Sequence, residues 1–324
     1  MWAQEATVNS HAVTLSDNSA NTDGGAFHTR QTIITITGNN FTHNTADNNG
    51  GTMYTDRGTT RITDSKFDHN TAGSNGGVIR SYSSGIVTFE SDFHNNRAER
   101  EGGVFYTEQS TLTIDQTSFK YNVANTGGAI WTDQGTLTLN QTSFTNNTAN
   151  FGGVLEADSS SITVDNSSLS GNGVSYNGGV MFVYSSHISV ANSFFNNNKA
   201  GNKGGVMYLY TGNSGSVSYM PTFQYKHNVT LKKNTFYNNK ATSGGVIATL
   251  FNEFVVMTEC AFSYNNANRG GAIYLLIGNT LMVNYCNFTH NSANVGGGVT
   301  YSEEHNIMTI SNSCLLYTSD AADE

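Results

Sequence analysis

Short runs in which apolar and polar residues alternate extend along the whole chain, separated by clusters of Gly, Asp, Asn and Ser. In residues 127–150, GGAIWTDQGTLTLNQTSFTNNTAN, the run TLTL alternates with a period of two, which is typical of a strand with one buried face. No segment of helical length shows the period of about 3.6 residues that marks an amphipathic helix. The pattern therefore predicts an all-β chain of short strands.

The strands belong to a repeat that is marked by adjacent glycine pairs. Successive pairs begin 25 or 26 residues apart, except for one interval of 40 residues between Gly204 and Gly244. Each glycine pair after the first is preceded by a Phe, or by Leu169 in one unit. An Asn lies three positions after this Phe or Leu. We expect each repeat to form one coil of a right-handed, single-stranded parallel β-helix, a pectin-lyase-like solenoid of about 10–11 coils. The Phe and Asn positions are Phe41, Asn44, Phe67, Asn70, Phe93, Asn96, Phe119, Asn122, Phe144, Asn147, Phe195, Asn198, Phe236, Asn239, Phe262, Asn265, Phe288 and Asn291.

Stacking of coils explains the repeated residues. Equivalent residues of neighbouring parallel strands lie about 4.8 Å apart, so the Phe rings would form an interior column and the Asn amides a hydrogen-bonded ladder. The glycine pairs would allow the backbone to bend or approach closely at a corner. A phosphate-binding glycine loop needs a following helix, which the pattern does not predict. The Phe, Asn and Gly positions are therefore predicted to be structural.

The chain is acidic and poor in charged residues. Its net charge is −9, whereas a protein that binds phosphates needs a basic face, so nucleic acid is excluded from the expected partners. No apolar run approaches the length of about 20 residues that spans a bilayer. The N-terminal MWAQEATVNS has neither the basic nor the apolar region of a signal peptide. We expect no cofactor.

We expect residues 1–313 to form one β-helix domain that is a piece of a longer protein. The repeat stops inside a unit near the C-terminus, and residues 314–324, CLLYTSDAADE, resemble the conceptual translation of a transposase-type sequencing adapter. The native sequence would then end at about Ser313, and Cys314 would not be a native cysteine. A disordered acidic tail is the alternative.

The long interval between glycine pairs predicts an inserted loop at about 211–228. It contains the aromatic residues Tyr219, Phe223 and Tyr225. Loops that project from a rigid scaffold often carry binding residues, which makes these three candidates for binding. An insertion without function is the alternative.

A second set of candidate binding residues lies three positions after the second glycine of each pair, from His28 to Thr300. The preceding position is always apolar, so alternation along the strand would turn this column outward, where aromatic rings could stack on sugars or contact a protein. A bend at the glycine pair could reverse the alternation, and the column would then be partly buried packing. The aromatic members of this candidate binding face are Tyr54, Tyr106, Trp131, Phe182, Tyr208 and Tyr274.

Three carboxylates, Glu108, Asp133 and Asp158, stand five residues after the second glycine in successive units. Stacked about one strand spacing apart, they would repel one another unless they reach into water or bind a cation such as Ca²⁺. Solvated turn acids are the favoured interpretation, and no other metal site is expected. Cys260 and Cys286 occupy the same position of adjacent units, which allows either a lateral disulfide or two buried thiols.

The repeat motifs resemble those of a known family. GGAI at 127–130 and 270–273, the variants GGVI, GGVM and GGVF, and FxxN in nine of ten complete units are similar to the repeats of chlamydial polymorphic outer membrane proteins. The resemblance extends from about Leu15 to Ser313. It implies a β-helical autotransporter passenger that acts as an adhesin. The C-terminal membrane barrel and N-terminal signal of that family are not found in this sequence.

We therefore expect a non-enzymatic protein, on the cell surface or outer membrane or secreted, whose partners are glycans or surface proteins of a host or neighbouring cell. Membrane attachment would come only through parts missing from this sequence. The alternative is a polysaccharide lyase or glycoside hydrolase of the β-helix class, which needs paired carboxylates or a cation-bound acidic cluster with a basic residue. The acids here follow the repeat, and the spacing assembles no Ser/His/Asp or Cys/His set. The sequence therefore favours binding over catalysis.

Overall fold

The structure, a computed structural model, describes residues 1–211 and 228–316. In these two ranges every regular element is a β-strand, and the paired strands are parallel. Three sheets of 12 strands each extend along the molecule. The chain is therefore a parallel β-solenoid of 12 coils, which confirms the predicted fold class. The sequence count of 10–11 coils was low, because residues 314–324 were set aside, whereas Cys314–Leu316 form the sheet C strand of a twelfth coil, with Leu315 in place of the marker Phe.

Each coil contributes one strand to each of the three long sheets. Sheet A contains Trp2–Gln4, Phe27–Arg30, Met53–Asp56, Ile79–Tyr82, Phe105–Glu108, Ile130–Asp133, Leu155–Asp158, Met181–Tyr184, Met207–Tyr210, Ile247–Phe251, Ile273–Ile277 and Thr300–Ser302. Sheet B contains Thr7–His11, Ile33–Thr37, Thr59–Thr63, Gly85–Phe89, Thr111–Asp115, Thr136–Asn140, Ser161–Asp165, His187–Ala191, Asn228–Lys232, Phe254–Thr258, Thr280–Asn284 and Ile307–Ser311. Sheet C contains Thr14–Ser16, Asn40–Thr42, Lys66–Asp68, Asp92–His94, Ser118–Lys120, Ser143–Thr145, Ser168–Ser170, Phe194–Asn196, Thr235–Tyr237, Ala261–Ser263, Asn287–Thr289 and Cys314–Leu316.

Shorter strands form the corner segment between sheet C and the next glycine pair. They belong to three small sheets of four, three and two strands. These strands are Ser19–Ala20, Thr45–Ala46, Thr71–Ala72, Arg97–Ala98, Thr148–Phe151, Gly173–Asn177, Lys199–Ala200, Asn266–Arg269 and Ser292–Gly296.

The Phe column fills the interior behind sheet C. Phe67 is paired with Phe41 on one side and Phe93 on the other. Ring centroids of consecutive residues from Phe41 to Phe144 lie 4.6–5.0 Å apart, with the planes 3–11° from parallel. All nine Phe side chains of the predicted column are at most 1% exposed. The predicted interior aromatic column is confirmed, with Leu169 as its one aliphatic member in the central coils.

The Asn ladder is also confirmed. The backbone N–H and Nδ2 of Asn122 both donate to Oδ1 of Asn147 at 3.0 Å, and Nδ2 of Asn147 donates to the carbonyl of Phe119 at 3.1 Å. The same three contacts recur along the ladder, for example from Asn44 to Asn70. Each buried amide therefore satisfies backbone groups at the corner that follows sheet C.

The glycine pairs form corners, as predicted. Gly152 has φ +59°, and a Cβ on Gly153 would lie 2.3 Å from the carbonyl oxygen of Gly179 in the next coil. In the last unit Gly296 is an additional residue, because Gly297 has the positive φ of the corner and accepts the backbone bond of Gly271. The register therefore differs by one residue from the sequence alignment. The column predicted to end at Thr300 ends instead at Tyr301, which pairs with Tyr274.

Candidate binding face

The outer face of sheet A carries two columns of side chains. In Phe105–Glu108, Phe105 and Thr107 are fully buried in the interior, and the two residues that alternate with them, Tyr106 and Glu108, lie on the outer side. Parallel pairing in register continues both columns from coil to coil. We call the column that contains Tyr106 the first column and the column that contains Glu108 the second. The predicted outward direction of the first column is therefore confirmed.

The aromatic residues of the first column are stacked on one another and largely covered. Ring centroids are 4.3 Å apart for Tyr106 and Trp131, and Phe151 of the corner segment packs against Phe182 at 5.1 Å. These contacts cover the ring faces, so the prediction of a solvent-exposed stripe is wrong for four of its residues. Tyr54 and Trp131 remain half-buried. The four buried rings and their exposed fractions are Tyr106 7%, Phe182 5%, Tyr208 7% and Tyr274 4%.

Arg80 occupies the first column between two aromatic residues. Its guanidinium carbon lies 5.2, 5.7 and 5.5 Å from the ring centroids of Tyr54, Tyr82 and Tyr106, and Nη2 is 2.6 Å from Oε2 of Glu108. The hydroxyl of Tyr106 donates to Oε1 of Glu108 at 2.7 Å, and burial together with this carboxylate raises the pKa of Tyr106. Both oxygens of Glu108 are therefore engaged inside the protein.

The three predicted carboxylates do occupy one column on successive coils, because Glu108 pairs with Asp133 and Asp133 with Asp158. Burial, and then repulsion from Asp158 and Glu108, raises the pKa of Asp133. Asp158 accepts a hydrogen bond from the Ser159 hydroxyl at 2.9 Å. Within the described ranges, no group of three or more His, Cys, Asp or Glu side chains is arranged to hold a metal ion.

Glu156 stands in the first column where the neighbouring coils carry Trp131 and Phe182. Its Oε2 is buried, and neither that oxygen nor the nearby Thr126 hydroxyl has a hydrogen-bond partner among the described residues. Burial raises the pKa of Glu156 to about 7, more than its polar neighbours Thr126 and Trp131 lower it. Glu156 was placed in this column from the sequence, as a residue that the repeat leaves free, but it was not predicted to be a binding or catalytic residue. A carboxylate within an otherwise aromatic column was the signal that could have identified it.

Trp131, Asp133, Glu156 and Asp158 together form what we call the acid–aromatic patch. Trp131 pairs with Glu156 and Asp133 with Asp158 across one coil spacing, so the four side chains occupy the outer positions of two adjacent strands. The patch combines a half-buried indole, the carboxyl group of Glu156 with its unsatisfied oxygen, and the carboxyl groups of Asp133 and Asp158; the pKa values of Glu156 and Asp133 are raised. Such a surface can stack on an apolar ring and accept hydrogen bonds from hydroxyl groups.

The aromatic candidates of the inserted loop, Tyr219, Phe223 and Tyr225, lie outside the described residues, as does nearly all of the loop. At its edge the hydroxyl of Thr211 donates to the buried carboxylate of Glu253. Burial raises the pKa of Glu253 to about 7, although this hydrogen bond lowers it. Glu253 was not predicted from the sequence; it stands where other coils carry small polar turn residues such as Ser160.

Cys260 and Cys286 are two buried free thiols, one of the two alternatives that the sequence allowed. They belong to a second polar ladder, at the turn between sheets B and C, that the sequence analysis missed. The backbone N–H of Cys260 contacts Sγ of Cys286 at 3.4 Å, as the N–H of Ser65 contacts Oγ of Ser91 at 3.2 Å. The contact with Cys286 and burial raise the pKa of Cys260.

The fold defines this chain as a parallel β-solenoid with an acid–aromatic patch on one outer face. Comparisons with protein-family models, curated proteins and solved structures found no match to it. The described part of the chain contains no helix long and apolar enough to cross a membrane.

Proposed function

We propose that this β-solenoid is an adhesin-like protein of the cell surface or outer membrane, or a secreted one, that binds glycans or surface proteins of a host or neighbouring cell without catalysis. The acid–aromatic patch is the observation that carries the proposal. The indole of Trp131 is covered by Tyr106 on one face, and the part of it that remains exposed offers an apolar surface for a sugar ring or an aromatic side chain. Asp133 and Asp158 beside it offer oxygens that accept hydrogen bonds from hydroxyl or amide groups.

Two further features support the proposal. The coils form a scaffold in which the interior Phe column changes only to Leu and the Asn column is constant in the central coils, while the outer columns of sheet A vary from coil to coil. The motifs GGA[ILV] and FxxN resemble the repeats of chlamydial polymorphic outer membrane proteins, which are adhesins. Attachment to a membrane, as an autotransporter passenger, would involve segments outside this sequence, and the complete gene would show whether they exist.

Binding of the purified chain to a glycan array and to intact epithelial cells tests this function. We expect Trp131→Ala and Asp133→Asn each to weaken the binding about tenfold, because they remove the stacking surface and a hydrogen-bond acceptor. Tyr54→Ala is the matched control, since Tyr54 is the other half-buried candidate of the same column but lies beside Arg80. A wild-type chain that binds no glycan and no cell, or an equal loss in the control, contradicts the proposal.

One observation favours a second candidate function, a glycoside hydrolase or polysaccharide lyase. Glycosidases pair a carboxyl group of raised pKa, which acts as general acid, with an ionised carboxylate. Glu156, with its pKa near 7, and Asp158 stand two residues apart on one strand. Glu156 would donate the proton and Asp158 would act as base or nucleophile.

Release of reducing or unsaturated sugars from neutral polysaccharides and polyuronides separates the two functions. Release by the wild type that is lost in Glu156→Gln establishes catalysis and overturns the binding proposal. No release from any of these polymers removes the catalytic candidate for these substrates.

A further inference from the structure

A second aromatic cluster lies at the edges of sheet C in coils 9–11, away from sheet A. Tyr237, Tyr264 and Tyr285 are 40%, 50% and 61% exposed, and His290 is exposed as well. The ring of Tyr264 stacks on His290 with centroids 4.8 Å apart, and Tyr237 meets Tyr264 edge-on at 5.5 Å. In contrast to the first column of sheet A, these rings are open to solvent.

Two of these tyrosines occupy backbone conformations that suit other residues better. Tyr264 and Tyr285 have φ of 57° and 52°, in the left-handed region that bulky side chains rarely adopt. The same φ recurs at these turns in the other coils, so the fold imposes it, and the tyrosines are distinguished by their exposed rings. In other coils Asn or Gly often holds these positions, as at Asn146, Gly171, Asn197 and Asn238 for Tyr264 and at Asn166, Asn192 and Asn312 for Tyr285. Larger side chains also occur there, including His43, His69 and Tyr121 at the position of Tyr264, and Lys233 and Glu259 at that of Tyr285.

The exposed rings flank the outer surface of two strands of sheet C, Ala261–Ser263 and Asn287–Thr289. The outward residues of these strands, which form the floor between the rings, are small or carry a hydroxyl or amide group. Tyr285 stands at the turn that enters the second strand, and Tyr264 and His290 stand at the turns that leave the two strands. We call this surface, from Tyr285 across the strands to Tyr264 and His290, the sheet C trough.

We propose that the sheet C trough binds a neutral oligosaccharide chain. The flanking rings can stack on the apolar faces of sugar rings, while Ser, Thr and Asn on the floor exchange hydrogen bonds with hydroxyl groups. Lys233 and Glu259 at its rim form an ion pair, with Nζ and Oε2 3.7 Å apart, so their opposite charges cancel. Coils lie about 4.8 Å apart, close to the length of one pyranose ring, so successive sugars can follow successive coils.

Affinity electrophoresis in native gels tests this site. The gels contain mannan, xyloglucan, laminarin or dextran as neutral probes, and heparin or polygalacturonate as anionic ones. We expect at least one neutral polymer to retard the wild-type chain, and Tyr264→Asn and Tyr285→Asn each to weaken that interaction about tenfold. Both variants should fold, because they introduce the residue that the chain itself uses at the same position of other coils.

Tyr121→Asn is the matched control. Tyr121 occupies the same turn position as Tyr264, with the same φ of 57° and a similar exposure of 54%, but its neighbours in the column are Asn95 and Asn146. Retardation that survives in Tyr121→Asn and is lost in the other two variants supports the trough. Retardation by no neutral polymer, or by anionic polymers alone, overturns the proposal. So does an equal loss in Tyr121→Asn, or unchanged binding in the trough variants. These variants leave the acid–aromatic patch intact, so the outcome is independent of the function proposed for that patch.

Discussion

At the scale of single residues, Glu253 shows what burial does to a carboxylate inside a repeat. It is 3% exposed, and its backbone N–H donates a hydrogen bond to Oδ1 of Asn279 at 3.0 Å. Its carboxylate accepts a hydrogen bond from the hydroxyl of Thr211. One hydrogen bond from a neutral hydroxyl replaces little of the hydration that an ionised carboxylate loses. Glu253 is therefore more stable in its protonated form, with a pKa near 7.

This shift predicts a pH-dependent gain in stability for Glu253→Gln. The pKa of Glu253 is 4.5 in the unfolded reference and about 7 in the folded chain. The contribution of this group to the free energy of unfolding is therefore fully present below pH 4.5 and is lost as the pH rises through about 7. The neutral amide should avoid this loss, which corresponds to about 3 kcal/mol. We expect urea unfolding to show similar free energies for variant and wild type at about pH 4, and a more stable variant at about pH 8.

Glu259→Gln is the exposed control for this experiment, because Glu259 lies at a solvent-exposed turn after the next strand of sheet B. A difference between Glu253→Gln and the wild type that does not change between the two pH values would show that the Glu253 carboxylate does not carry the pH dependence.

Residue-level exposure was the part of the candidate site that the sequence predicted least well. Alternation along a strand determines which side of the sheet Tyr106 lies on, and this was predicted. It does not determine how much of the ring is covered. That depends on stacking with a ring of the next coil, as for Tyr106 on Trp131, and on side chains of the corner segment, as for Phe151 on Phe182. The raised pKa of Glu156 has the same origin and was therefore not visible in the sequence.

At the scale of the structural elements, the ladder of Asn side chains fixes each corner to the next coil. Asn147 accepts two hydrogen bonds from Asn122, donates to the Phe119 carbonyl, and donates from both its N–H and Nδ2 to Oδ1 of Asn172. These groups are buried without access to water. Their loss is therefore not compensated by hydration.

Asn147→Ala should destabilise the fold by about 3 kcal/mol or more, because two donors of Asn122 and the carbonyl of Phe119 would lose their partners. Asn146→Gly is the matched control next to it. Asn146 has φ 55°, and Gly171 holds the equivalent position of the next coil, so this change should be nearly neutral. Equal losses of unfolding free energy in the two variants, measured in urea, would contradict a special contribution of the ladder.

The arrangement of the elements was largely predictable, since a period of 25 or 26 residues with Phe, Asn and Gly markers specifies the register of every complete coil. The errors lie where the markers change. Leu315 replaced Phe in the last coil, Gly296 shifted the last corner, and the Ser and Cys ladder has no constant residue to reveal it.

At the scale of the whole molecule, each coil contacts only its neighbours, so stability is distributed along the solenoid as a sum of local terms. The strands of coils 1 and 12 pair on one side only. All five residues of Ile307–Ser311 in coil 12 are exposed, whereas Thr136–Asn140 in coil 6 has two fully buried Leu residues. The end coils therefore have fewer stabilising contacts than the central ones.

We expect amide hydrogen exchange to reflect this gradient. Backbone amides of Thr7–His11 and Ile307–Ser311 should exchange before those of Thr136–Asn140, because local opening at an end breaks one coil interface and opening in the centre breaks two. Asn147→Ala should accelerate exchange in coils 5–7 and leave coils 10 and 11 unchanged, whereas Asn146→Gly should change neither region. Equal exchange rates in all 12 coils, or acceleration of every coil by Asn147→Ala, would mean that the solenoid unfolds as a single cooperative unit.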